Sequence, residues 1–227
     1  MDGTRLRFSS RDVPALAIFV MVRPDGNHTG ILHRSSGTLR ILDLCWHECL
    51  RSSVCREDYA CVVPRLEPEE ENDVTAMCRL IESRNILPDP QKIPYGIGPP
   101  NNIRFNRDGE LILEGGLGLT CSTFVLTVFE SVRVPIADLT DWVVRSDDET
   151  RHTALIEMMR NGVGQYPPAD PQHVARVGAS PPCIRVRPEE VAAAGLARSL
   201  PIGFDLAEPW GEWVVKSVSA AGGTGDP

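Results

Sequence analysis

No uninterrupted hydrophobic run in this chain approaches the roughly eighteen residues that a membrane-spanning helix needs. An excess of positive charge is also missing. Lys and Arg total 23 against 31 Asp and Glu, a net charge of −8 that disfavours a general nucleic-acid or anionic-membrane surface. The basic residues are almost all arginine, which points to a GC-rich, bacterial source genome. The first residues, Met1-Asp-Gly-Thr-Arg-Leu-Arg7, lack the basic-then-apolar build of a secretory signal, so a cytoplasmic location is expected. There is no internal repeat. Paired Cys-x2-Cys knuckles are absent, although Cys45, Cys49, Cys55 and Cys61 follow one another closely, with His33 and His47 nearby. Their spacing reads as ordinary thiols, with no metal and no cofactor expected. Seven cysteines, an odd number without a signal, read as reduced thiols and not as a disulfide framework.

What is present is an ordinary globular composition, 42% hydrophobic and 24% charged, in 227 residues, enough for a substantial core. Ala15–Arg23 is a continuous apolar run ending at the turn signal Pro24-Asp-Gly-Asn27, which predicts a buried strand. His28–Arg34 and Thr38–His47 flank Ser35-Ser-Gly37 and predict an antiparallel hairpin. A helix is predicted over about 70–85 from Val74, Met77, Cys78 and Ile81, with acidic residues at its start. Residues 87–102 are dense in Pro and Gly and read as a loop of functional length. Asn106-Arg-Asp-Gly109 signals a second hairpin between Ile103–Phe105 and Glu110–Leu113. Helices are expected near 138–145, over 149–161 and over Arg187–Ala194, the last with Pro188 in its first turn. Residues 162–183 read as loop, Trp210–Lys216 as a last strand, and 219–227 as a disordered tail. The fold class is α+β, with a core over 1–148 and a mixed helical and loop extension over 149–227.

One stretch concentrates chemistry. After Gly115-Gly-Leu-Gly118, Leu119-Thr-Cys-Ser-Thr-Phe-Val opens a run in which Phe124, Val125, Val128, Phe129 and Val132 form an apolar helical stripe. Thr120 is the N-cap candidate, and Cys121 falls in the first turn on the buried side. There the helix dipole and free N–H groups favour a thiolate and an oxyanion formed beside it. A merely buried core cysteine fits the same stretch.

A thiol nucleophile needs a base and the base an orienting acceptor. His28 starts a core strand directly after a turn, which places it at the rim of a sheet. Asp43 interrupts the apolar strand Leu39–Leu44, and a hairpin centred on Ser36 sets His28 opposite residues 43–45. His47 is the second-choice base or orienter. His33 falls on the opposite strand face and is expected to be exposed, and His152 and His173 are expected in a surface helix and a loop.

His28-Thr-Gly-Ile-Leu, then Asp43 on the following strand, then Leu119-Thr-Cys-Ser-Thr-Phe-Val resembles the circularly permuted papain-like cysteine hydrolases. These are relatives of the NlpC-type peptidases that include lecithin–retinol acyltransferase-like, PPPDE-type and YiiX-like proteins. Ile93-Pro-Tyr-Gly96 is similar to a Pro-Tyr segment ahead of the cysteine in many members. The likeness covers about residues 15–133. It implies a papain-like antiparallel sheet with the nucleophile-bearing helix packed on it. Cys121 would be the nucleophile, His28 the base and Asp43 the orienter, a place where the family more often has His, Glu, Asn or Gln. Tyr95 and Thr120 would belong to the substrate loop. The implied activity is thiol peptidase or amidase chemistry through a thioester, on a peptide or protein substrate. The alternatives are an inactive papain-like binding protein, a lipid acyl hydrolase or transferase, and, from the residues alone, a cysteine-rich metal-binding interaction module centred on 45–61.

Overall fold

The computed structural model describes residues 5–97, 103–113, 117–180 and 184–222. Gly115 and Gly116, most of the second half of the 87–102 loop, Cys183 and the end of the expected tail lie outside them. Strands β1 (Leu6–Arg7), β2 (Leu16–Met21), β3 (His28–Ser35), β4 (Thr38–Trp46), β5 (Cys49–Val54) and β6 (Ala60–Val62) form one sheet in the order β1-β6-β2-β3-β4-β5. Every pairing in it is antiparallel. Strands β7 (Ile103–Phe105) and β8 (Leu111–Leu113) make a separate hairpin. Six helices complete the described chain: α1 (Pro68–Asn85), α2 (Cys121–Ser131), α3 (Asp148–Asn161), α4 (Pro171–Ala179), α5 (Pro188–Gly195) and α6 (Phe204–Ala220). The architecture is α+β, and no described helix is long and apolar enough to cross a membrane.

The β3–β4 hairpin turns through Ser36 and Gly37, whose φ values of 50° and 81° match the right-handed twist of the strands they join. That two-residue loop fixes the register, with Ser35 opposite Thr38 and Ile31 opposite Leu42. Alternation then sends Ile31, Leu42 and Leu44 to one face, where they pack with Phe124, Val125, Val128 and Phe129 of α2. Each of those four α2 side chains is fully buried, and each such burial stabilises by roughly 1.5–3 kcal/mol. Val191 and Ala194 of α5 belong to the same core, so α5 also covers the sheet.

Several expectations need correction. Residues 138–145 are irregular chain with a turn at 140–141, where the Asp138 carboxylate accepts the Thr140 N–H and the Asp138 N–H is tied to the Ile202 carbonyl. Trp210–Lys216 lies inside α6, whose buried residues Ala207, Gly211, Val214 and Val218 follow a helical period that the local Trp-Val-Val run conceals. Part of the 162–183 loop is α4, started by Asp170, whose carboxylate accepts the Gln172 and His173 N–H groups. The expected tail begins within α6.

Candidate active site

Thr120 stands in extended conformation before α2, and its hydroxyl accepts the Thr123 N–H at 3.2 Å. The Thr123 hydroxyl in turn accepts the Thr120 N–H at 2.8 Å. This reciprocal cap serves two of the helix's unpaired donors and leaves the first helical residue, Cys121, with its own N–H pointing out of the helix. The Tyr95 hydroxyl meets both that N–H and, at 4.0 Å, the Cys121 Sγ. Cys121 also receives the Thr29 backbone N–H where β3 begins.

His28 lies beside the same sulfur. Its Nε2 is 2.5 Å from Asp43 Oδ2, which leaves Nδ1 as the nitrogen for the thiol. Asp43 is fully buried and is gripped on its far side by Arg51, with Nε 2.7 Å from Oδ1 and Nη2 3.1 Å from Oδ2. Arg51 comes from β5, opposite Asp43 in the register. The result is a continuous row, Arg51–Asp43–His28–Cys121. Room for it depends on Gly30, since a Cβ there would lie 2.4 Å from the Asp43 Cβ and 2.5 Å from Phe19.

The electrostatics follow from the row. Burial pulls the His28 imidazole down, but the neighbouring Cys121 and Asp43 outweigh it and push it up to about 10. Burial pushes the Cys121 thiol up, yet His28, the Thr29 N–H and the Tyr95 hydroxyl carry it below the ordinary thiol value. Burial likewise works against the Asp43 charge, and His28 and Arg51 hold the carboxyl below its usual range. Cys45, Cys49, Cys55, Cys61 and Cys78 all move the other way, burial being the first cause in each. A thiolate–imidazolium pair at Cys121 is the arrangement these neighbours favour.

His28, Asp43 and Cys121 are therefore brought together, with Thr120 and Tyr95 adjoining. His47 is held apart from the thiol: its Nδ1 accepts the Tyr95 N–H at 3.2 Å. His33, expected at the surface, is fully buried and sits 3.3 Å from Glu82 of α1, because α1 covers that face of the sheet. His152 and His173 are buried as well. The His152 Nε2 is 3.1 Å from the Val177 carbonyl oxygen and the His173 Nε2 is 2.8 Å from that of Tyr95. Arg51 escaped the sequence reading, its strand Cys49–Val54 being short and without clean alternation.

Among the described residues, His28, Asp43 and Cys45 are the one trio close enough to share an ion. Their donors are already engaged: both Asp43 oxygens hold Arg51, Oδ2 also meets His28, and the Cys45 thiol donates to Oδ2 at 3.3 Å. The Arg51 guanidinium already balances the Asp43 charge, so these residues are not assigned as metal ligands. None of the described cysteines is in a disulfide.

No protein-family model, curated protein or solved structure matches the chain.

Proposed function

We propose that this chain is a cysteine hydrolase of permuted papain-like type, cleaving an amide or isopeptide bond in a peptide or protein. The observation that carries the reading is the Arg51–Asp43–His28–Cys121 row at the N-terminus of a buried helix. The order His28, Asp43, Cys121 along the chain and the resemblance of the surrounding segments support it.

In this reading the Cys121 thiolate attacks the substrate carbonyl carbon and the carbonyl π pair moves to oxygen. The Cys121 N–H and the Tyr95 O–H, which converge beside the sulfur, donate to the oxyanion. The His28 imidazolium gives its proton to the leaving nitrogen as the carbon–nitrogen bond breaks, leaving a thioester. Water, deprotonated by His28, then attacks the thioester, and the thiolate leaves with the imidazolium re-formed. Asp43 keeps its proton-free charge throughout, fixing the ring and supporting its positive state.

Native protein treated with iodoacetamide across pH 5–9, with the modified cysteines located by peptide mapping, tests this. Cys121 should label fastest below neutral pH, where the other thiols remain protonated, and His28→Ala should abolish that advantage. Labelling of Cys121 no faster than that of Cys55, which is partly exposed, would leave a binding protein on the same scaffold.

A further inference from the structure

A half-buried histidine and a buried one, neither taking part in that chemistry, meet on the backbone of a single residue of the site, Tyr95. His47, just after β4, accepts the Tyr95 backbone N–H through Nδ1 at 3.2 Å. His173, in the first turn of α4, reaches the Tyr95 carbonyl oxygen with Nε2 at 2.8 Å. The two rings lie 4.6 Å apart and are inclined by 33°. The Tyr95 ring is stacked on Trp46 at 5.4 Å, and its backbone bridges to Leu119, two residues before the nucleophile. The phenol is thus held at its ring and through its backbone, and the hydroxyl ends against Cys121.

The hydrogen bonds assign which ring nitrogens donate and which accept. A His47 Nδ1 that accepts leaves its proton on Nε2, 3.8 Å from Glu48. A carbonyl only accepts, so His173 Nε2 must donate, and its Nδ1 faces Arg176 at 3.5 Å. Glu48, itself paired with Lys92, and Asp170 complete the charged surroundings of the pair. Burial and then the neighbouring His173 lower the His47 pKa, which keeps it an acceptor.

We propose that His47 and His173 are positioning residues that act on the reaction through Tyr95, holding its hydroxyl at the Cys121 sulfur and N–H. The inference rests on the hydrolase reading and adds a second support to it, independent of His28. A packing role alone, fastening α4 to the end of β4, would leave the Tyr95 hydroxyl dispensable to any effect of the histidines.

The test is a double-mutant cycle read as the rate of Cys121 carboxamidomethylation against pH. Removing one hydrogen bond to the thiolate with Tyr95→Phe should lower the rate at pH 6 about fivefold and move the acid midpoint of the profile upward. His47→Ala should give a fall of similar size, and none further in the Tyr95→Phe background. His47→Asn, whose side-chain oxygen accepts the same N–H, should recover most of the loss. His173→Leu and His173→Gln provide the same comparison should His47→Ala not fold. Wild-type rates in His47→Ala, or a further fall in the double variant, overturn the positioning role while leaving the hydrolase reading intact. Wild-type Cys121 reacting no faster than Cys55 overturns both.

Discussion

Asp43 carries its charge out of reach of solvent, and its neighbours determine whether it can. Isolated in this position a carboxylate would take up a proton, since burial strongly disfavours the ion. His28 and the two-pronged Arg51 reverse that preference. Arg51 is 31% exposed, which softens the loss expected on removing it. Arg51→Met should destabilise by about 2–3 kcal/mol at pH 7, less than for a wholly buried pair. The sign with pH is fixed: a carboxyl depressed in the native state stabilises it above the unfolded pKa, and the gain fades as pH falls through the native one. The gap between wild type and Arg51→Met in urea unfolding should therefore be widest near neutrality and close below about pH 4. A gap independent of pH would mean that Arg51 acts through packing only.

At the scale of the element, the β3–β4 hairpin sets His28 and Asp43 in register, and Gly30 lets them approach. Gly30→Ala drives a Cβ into the Asp43 Cβ and the Phe19 ring, so it should cost about 1–3 kcal/mol in thermal or urea unfolding. It should also slow Cys121 labelling, because the Asp43 that it displaces orients His28. Full retention of labelling would show that Asp43 tolerates displacement. This hairpin was legible beforehand because its turn residues and alternation agree with each other. So was α2, where the cap, the apolar stripe and the cysteine all fall within a few residues. The missed pieces have local reasons. β1 and β6 are two and three residues long, too short for a period to register. α4 hid among prolines, although Asp170-Pro171 is itself a helix-start signal. α6 carries Pro209 in its interior, which breaks the pattern the eye follows. The burial of His33, His152 and His173 depends on what packs over them from distant segments, information that no local window contains.

Over the whole molecule, segments after residue 148 pack into the same core as the sheet. Val186, Val191, Ala194 and Ala197 share one core with Leu16, Ile31 and Phe129. Arg145 adds a polar seam, contacting Glu190 and, at 3.1 Å, Glu208, while Arg185 reaches Asp148 at 3.1 Å. A chain ending at residue 148 would expose the apolar face of β2 and leave Arg145 without its buried partner. It should lack a cooperative unfolding transition and bind a hydrophobic dye, measured by circular dichroism and fluorescence. A sharp transition in that fragment would establish residues 1–148 as an autonomous domain.

The row that organises the site also shapes what an approaching molecule senses from afar. Arg51, Asp43, His28 and Cys121 alternate in sign when the thiol is ionised, so their fields cancel within a short distance. A neutral amide approaching the sulfur meets an intense local field at contact and almost none before it. Long-range attraction or repulsion is left to the remaining surface, with its net charge of −8. On the proposed hydrolase reading, ionic strength would then govern how often substrates of different charge arrive, and barely alter what happens to them once there.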